Sequence, residues 1–152
     1  MRKLLLLIMV VAFPAFSHSQ DKSAYDFTLN HLALSVNNVD RSVDFYKDVF
    51  KLQEITNKTK MEGIRWLSLG DGKELHLIST LKEKVIVNKA VHMAFSTTDF
   101  NALITILNKM KIAYSDWPGN PNKINIRADG IKQVFFQDPD GYWIEVNSVG
   151  QL

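Results

Sequence analysis

The 152-residue chain contains no cysteine, which excludes a disulfide, a thiolate metal ligand and a cysteine nucleophile. It has no run of basic residues of the kind that contacts nucleic acid, and its formal net charge is only +2. An apolar stretch at residues 4–16 is too short for a membrane span, which needs about 20 residues. Nucleic-acid binding and a stable membrane span are therefore not expected.

The first twenty residues have the order of a secretory signal peptide. Arg2 and Lys3 precede the apolar stretch, and small polar residues follow it at 17–20. We predict that residues 1–20 are removed, leaving one domain at 21–152; an uncleaved anchor is the alternative. Without Arg2 and Lys3 the 18 basic residues become 16, equal to the 16 acidic ones. An exported chain without disulfides fits the periplasm or the exterior of a bacterium.

The remaining chain contains an internal repeat. HLALSV at 31–36 matches HMAFST at 92–97, and each segment precedes a polar break and a stretch of helical periodicity. Asp40 is expected to cap the first helix and Asp99 the second. Both copies end in two alternating segments around an Asp-Gly turn, the pattern of a β-hairpin.

The repeat predicts the α+β class, with two tandem βαβββ modules. Module 1 covers about 27–80 and module 2 about 90–147. The second strand is weak in both copies, at 53–58 and 112–117.

Four polar residues occupy matched strand positions in the two modules. His31 and His92 are in register in the first strands, while His76 and Glu145 follow the two Asp-Gly turns at equal spacing. A carboxylate in a strand as apolar as YWIEV is costly unless it is paired or bound to a metal. Three imidazoles and a carboxylate suit Zn²⁺, Ni²⁺, Co²⁺, Fe²⁺ or Mn²⁺, and the sequence does not choose among them.

The segments HLALSVNNVDRSVDFYKDVF, ELHLIS, VHMAFST and DPDGYWIEV resemble the vicinal oxygen chelate superfamily, which includes glyoxalase I, extradiol dioxygenases and fosfomycin- and bleomycin-resistance proteins. The resemblance spans residues 27–147. It implies two modules whose sheets curve round one divalent metal, with His31, His76, His92 and Glu145 as ligands. It departs from glyoxalase I at His76, where that family usually carries glutamate. It also implies a homodimer, and whether the ligands meet within one chain or across two is left open.

The resemblance favours an exported lyase or isomerase of glyoxalase type that acts on a small molecule with vicinal oxygens. Glu145 would then be the catalytic base that moves the substrate proton. If His76 does not bind the metal, His31, His92 and Glu145 form a facial triad, and an extradiol dioxygenase or a thiol transferase is the alternative. A second alternative is a non-catalytic protein that binds a drug or another small molecule.

Candidates for substrate binding come from the remaining cations and aromatic residues. Basic side chains suit an anionic substrate, and large aromatic rings suit the walls of a pocket. The candidates are Arg65, Arg127 and Lys132, with Trp66, Trp117 and Tyr142.

Overall fold

The computed structural model describes residues 27–81, 83 and 85–151. The predicted signal peptide lies outside these residues. Within the described part, neither helix combines the length and the apolar content needed to cross a bilayer.

Each half of the chain forms its own β-sheet. The first sheet has the strand order β1-β4-β3-β2, and the second has the order β5-β9-β8-β6, with β7 also paired to β8. The first strand of each half is parallel to the last one, and the other pairs are antiparallel. The strands are β1 (His31–Ser35), β2 (Glu54–Ile55), β3 (Ile64–Gly70), β4 (Lys73–Ile78), β5 (His92–Ser96), β6 (Tyr114–Ser115), β7 (Asn125–Ile126), β8 (Lys132–Gln137) and β9 (Trp143–Asn147).

One helix follows the first strand of each half: α1 (Val39–Phe50) and α2 (Phe100–Lys109). Asp99 caps α2 as predicted, since its carboxylate accepts from the backbone N–H of Ala102. The expected cap at Asp40 is wrong. Asn38 caps α1 through the N–H of Arg41, and Asp40 lies in the first turn, where a negative charge suits the helix dipole.

The two βαβββ modules predicted from the repeat are therefore confirmed. The second strand of each module has two residues, as its weak pattern indicated. Strand β7 was not predicted, because a two-residue strand carries no measurable alternation. A short 3₁₀ helix follows β9 at Val149–Gln151.

A single hydrophobic core joins the two modules through their helices. It contains the apolar faces of both sheets and the buried faces of α1 and α2. The Phe50 ring of α1 stacks near Phe95 of the second sheet, with centroids 4.5 Å apart, so module 1 packs directly on module 2. The opposite face of each sheet, which carries the predicted metal ligands, lies away from this core; we call it the metal face of that module.

Candidate metal centre

The metal face of module 2 brings His92 and Glu145 together. Strands β5 and β9 are neighbours, and Glu145 pairs with Ala94, so its side chain leaves the sheet beside the imidazole of His92. The His92 Nε2 atom lies 3.4 Å from Oε2 of Glu145. Glu145 is buried and His92 is half-buried. His92 and Glu145, two of the strand positions that the repeat singled out, therefore form one pair of candidate ligands.

The hydrogen bond made by Nδ1 of His92 determines what its other ring nitrogen, Nε2, presents to the Glu145 carboxylate. Nδ1 lies 2.8 Å from the carbonyl oxygen of Lys89, and a carbonyl only accepts, so Nδ1 donates its proton there. In a neutral imidazole, Nε2 then presents its lone pair to Glu145. Two lone pairs facing each other repel unless a proton or a cation lies between them. The pair thus provides two lone-pair atoms, Nε2 and Oε2, that could serve as ligands of one metal ion.

Two side-chain amides hold the other oxygen of Glu145. Gln133 donates to Oε1 at 2.8 Å and Asn147 donates to it at 3.0 Å. Gln133 is held in turn by the amide of Asn125, and Asn147 accepts from the hydroxyl of Ser96. All of these residues lie on the metal face of module 2. The network fixes the carboxylate so that Oε2 is directed at His92.

We expect Gln133→Leu to weaken divalent metal binding by about tenfold, because outer hydrogen bonds orient a ligating carboxylate. Isothermal titration with Zn²⁺ or Mn²⁺ measures the change. Gln53→Leu is the matched control, since Gln53 is exposed and its side chain makes, within the described residues, one long hydrogen bond of 3.4 Å to a backbone carbonyl. An unchanged metal affinity in a folded Gln133→Leu variant would contradict this role.

The metal face of module 1 carries three stacked rings. The His76 ring lies between His31 and Trp66, with centroid separations of 4.2 Å and 4.1 Å. Its Nε2 is 2.7 Å from a carboxylate oxygen of Glu74, and Nδ1 of His31 is 2.7 Å from the amide oxygen of Asn30. Within the described ranges, the Nε2 atom of His31 has no hydrogen-bond partner, whereas the Nε2 atom of His76 contacts Glu74.

The four predicted ligands do not converge within one chain. His31 is paired with His76, and His92 is paired with Glu145. Among the described residues, no three histidine or carboxylate side chains form a group that could hold a metal ion. The reason is the packing, because the core joins the apolar faces of the sheets and leaves the two metal faces apart.

Three of the candidate substrate residues contact the metal faces or the junction between modules. Trp117 lies 6.3 Å from the His92 ring, centroid to centroid, and Trp66 stacks on His76. The indole N–H of Trp66 is buried and has no partner among the described residues. The Tyr142 hydroxyl donates to the carbonyl of Ser35 and accepts from its N–H, so Tyr142 joins module 2 to β1.

The three basic candidates lie elsewhere. Arg65 is on the opposite side of β3 from Trp66 and is bound by Glu54 and Asp40. Its guanidinium lowers the pKa of the Glu54 carboxyl through their hydrogen bond. Arg127 is exposed and pairs with Asp129 in the turn before β8. Lys132 is on the face of β8 opposite Gln133.

Sequence reasoning missed several residues that surround the candidate ligands. Alternation places Trp143 on the face of Glu145, and the same reasoning along β8 could have placed Gln133 and Phe135 there, because each shares a face with a predicted ligand. Lys89 and Asn30 gave no such signal, because they lie outside the strands, where the alternation of side chains does not apply, although each is within three residues of the histidine that it contacts.

The family model described as the Glyoxalase/Bleomycin resistance protein/Dioxygenase superfamily matches residues 28–146. The chain belongs to this superfamily. The membership and the fold that the sequence predicted are thus confirmed.

Two relatives within this superfamily carry different names. The chain is 31% identical over 125 residues to metallothiol transferase FosB from Shouchella clausii, covering 79% of each chain. It is 30% identical over 135 residues to Glyoxylase I 4 from Arabidopsis thaliana, covering 82% of this chain and 72% of the relative. Among solved structures, a glyoxalase/dioxygenase from Nostoc punctiforme matches with a TM-score of 0.63 at 24% identity, over 92% of this chain and 98% of that one. This last likeness shows the shared superfamily fold.

Proposed function

We propose that the protein is a divalent-metal-dependent enzyme that transfers a thiol to a small oxygen-bearing substrate. Its metal would be held by His92 and Glu145 of one copy and by His31 of a second copy. Superfamily membership supports a metal-dependent enzyme, and the first-described relative carries the name metallothiol transferase.

The observation that carries this proposal is the His92–Glu145 pair. Bonds of about 2.0–2.2 Å to one metal ion place two ligand atoms about 3.0–3.5 Å apart. The measured 3.4 Å between Nε2 and Oε2 fits that separation. Both atoms are oriented to bind a cation. The other ring nitrogen of His92 is hydrogen-bonded to the carbonyl of Lys89, and the other oxygen of Glu145 accepts from the two amides of the network.

Three protein ligands are favoured over four by the surroundings of His76. A metal needs converging lone pairs, but the rings of His31 and His76 are nearly parallel, with an interplanar angle of 14°. His76 is further held by Glu74 and Trp66. Coordination by His76 would break the contact to Glu74 or turn the ring out of the stack. Coordination by His31, His92 and Glu145 alone requires neither of these changes at His76.

A second copy is proposed because the metal faces are incomplete alone. His31 is exposed at the edge strand of the first sheet, and its Nε2 makes no hydrogen bond to any residue that the structure describes. The buried N–H of Trp66 also lacks an acceptor in the described chain, and an unsatisfied buried donor costs about 1–3 kcal/mol. A dimer that opposes the metal face of module 1 to that of module 2 would bring His31 to His92 and Glu145.

When bound, the metal would act as a Lewis acid towards substrate oxygen. The residues of the chain would position and shield the substrate. Trp117 and Phe135 form an apolar wall beside His92, with ring centroids 5.3 Å apart. In the transfer, the thiolate sulfur would bond to a substrate carbon, the carbon–oxygen bond would break, and the released oxygen would take up a proton.

A glyoxalase-type isomerase is the second candidate, supported by the similarity to Glyoxylase I 4. That reaction needs Glu145 as a mobile base. The amides of Gln133 and Asn147 restrain this carboxylate, so they support a permanent ligand instead. The geometry therefore supports thiol transfer better.

The proposal is tested with metal-free protein reloaded with Zn²⁺, Mn²⁺, Ni²⁺ or Co²⁺. We expect at least one ion to raise the melting temperature, because a ligand that binds only the folded state stabilises it. The loaded protein is then assayed for cysteine addition to glycidol and for isomerisation of the glutathione–methylglyoxal adduct. His76→Gln should keep metal affinity if three ligands bind. No stabilisation by any ion would favour the non-catalytic binding protein, and isomerisation without thiol addition would favour the second candidate.

A further inference from the structure

Lys89 is a cation on the metal face that the catalytic proposal leaves unused. It precedes β5, and its ammonium lies 4.8 Å from the centroid of Trp143 and 5.5 Å from that of Phe135. Trp143 is the strand partner of His92, and the Phe135 centroid is 5.7 Å from the His92 ring. The charge of Lys89 is thus separated from the candidate ligands by about one aromatic ring.

All the hydrogen bonds that this ammonium makes to described residues are to neutral groups. Ser115 Oγ and the carbonyl of Asp116 accept at 3.0 Å, and the carbonyl of Trp117 accepts at 3.3 Å. None of the described carboxylates lies close enough to form an ion pair with it. The pKa of Asp116 is lowered mainly by its hydrogen bond from Asn120 and also by the charge of Lys89, so this carboxylate balances part of that charge from a longer distance. Lys89 is also partly shielded from solvent, so its charge is less screened than that of a surface lysine. A partly buried ammonium whose close acceptors are neutral still attracts an anion.

The weakest of the three contacts is exchangeable. The carbonyl of Trp117 is the most distant acceptor and belongs to an exposed loop residue. A carboxylate or phosphonate oxygen is a stronger acceptor than a neutral carbonyl, because hydrogen bonds between charged groups are about twice as strong as neutral ones. An anion could therefore replace the Trp117 carbonyl while Ser115 and Asp116 keep the ammonium in place.

The aromatic rings supply the other half of such a subsite. Phe135 and Trp143 also line a cavity of about 490 Å³ that Ser115 shares. Neither the candidate metal ligands nor Lys89 line this cavity, and its connection to the lysine is through Ser115, Phe135 and Trp143. A substrate that reached from the metal to Lys89 would cross these apolar rings.

We propose that Lys89 is a specificity-determining residue for an anionic group of the substrate. The substrate class is a small molecule with metal-chelating oxygens at one end and a carboxylate or phosphonate at the other. This inference rests on the metal site of the proposed function, since the chelating end needs that site.

The experiment uses hydroxamates as probes of the metal-loaded protein, because a hydroxamate chelates a metal ion through two oxygens. Butyrohydroxamate has a neutral tail, and succinohydroxamate has a carboxylate tail of matching length. Phosphonoacetohydroxamate and acetohydroxamate form the phosphonate pair. Dissociation constants are measured by titration calorimetry, and the readout is the affinity ratio of the anionic to the neutral probe.

In the wild-type protein we expect the anionic probe of at least one pair to bind about tenfold more tightly, the gain of one charged hydrogen bond. Lys89→Gln should bring the ratio close to one, whereas Lys89→Arg should retain most of it. Lys109→Gln is the control, since Lys109 is exposed at the end of α2. Whichever pair shows the effect identifies carboxylate or phosphonate as the group.

A purely structural Lys89 would give a different result. If Lys89 only holds the Trp117 loop in place, Lys89→Gln would weaken the binding of both probes of a pair equally. The affinity ratio would then stay unchanged, which would overturn the inference. If Lys89→Gln does not fold, the salt dependence of the wild-type ratio decides, because a charge-based preference falls as salt rises. Binding of neutral probes without any anionic preference would refute the anion subsite alone. Failure of all four probes to bind would refute the metal site and the subsite together.

Discussion

An equal mixture of two inactive variants, His31→Ala and His92→Ala, is expected to recover about a quarter of wild-type activity after the chains are unfolded and refolded together. Each variant lacks one proposed ligand in every site. In a mixed dimer of the proposed kind, however, one of the two sites would combine the intact His31 of one copy with the intact His92 and Glu145 of the other. Random pairing makes about half of the dimers mixed, and each of these has one working site of two.

Metal content gives the same test without a substrate. Native mass spectrometry should find one tightly held metal ion in the mixed dimer and two in the wild-type dimer. Each variant refolded alone is the control and should hold none tightly. A mixture as inactive and metal-poor as its components would contradict a site shared between two copies. Equal metal binding by an isolated wild-type monomer would contradict it as well.

The second large effect concerns the DPDG turn that precedes β9. We expect Asp140→Ala to lower the free energy of unfolding by about 2–3 kcal/mol, because a charged acceptor of several hydrogen bonds is lost. Asp140 accepts from the backbone N–H and the side-chain amide of Asn37 at 2.7 and 2.9 Å, and from the hydroxyl of Ser42 at 2.7 Å. Ser42 is fully buried, and without Asp140 its hydroxyl would keep only the longer contact, of 3.0 Å, to the carbonyl of Asn38 among the described acceptors.

Urea unfolding of the metal-free protein, at one protein concentration, measures this loss. Asp44→Ala is the matched control, because Asp44 is exposed on the same helix as Ser42, and we expect a change within about 0.5 kcal/mol. Equal stability of the two variants would show that the turn does not hold the modules together.

A buried pair reinforces this connection between the modules. The Tyr46 hydroxyl of α1 donates to Asp138 at 2.9 Å. Burial, and then the charge of Asp138, raise the pKa of Tyr46, so the phenol stays protonated and keeps donating. Burial also raises the pKa of the Asp138 carboxyl. The turn that the sequence predicts as a hairpin is thus also a junction between the modules, and it places β9 and Glu145.

The corresponding turn of module 1 has no such role. The side chain of Asp71 is almost fully exposed, and its carboxylate has only a distant contact with Lys73. The two Asp-Gly turns look equivalent in the sequence. Each reverses the chain direction within a hairpin, and each precedes a candidate ligand by the same number of residues. Their difference arises from what each turn faces, and no local pattern contains that information.

The sequence by itself determined the modules, the helices and the face on which each candidate ligand lies. Alternation places Ala33 and Ser35 beside His31, and the apolar residues between them on the core face, because successive strand residues point to opposite sides. Periodicity likewise identified the buried residues of α2. These features are local, so a single chain segment is enough to predict them.

Only the tertiary structure decided which candidate ligands lie together and which neighbouring groups their side chains contact. Packing of Phe50 on the second sheet joins the apolar faces and separates His31 from His92, a result that neither module specifies alone. The stack of His76 on His31, and the contact of Lys89 with the Trp117 loop, join residues distant in sequence. Strand periodicity sets the direction of a side chain, but its neighbours depend on how the sheets and loops pack.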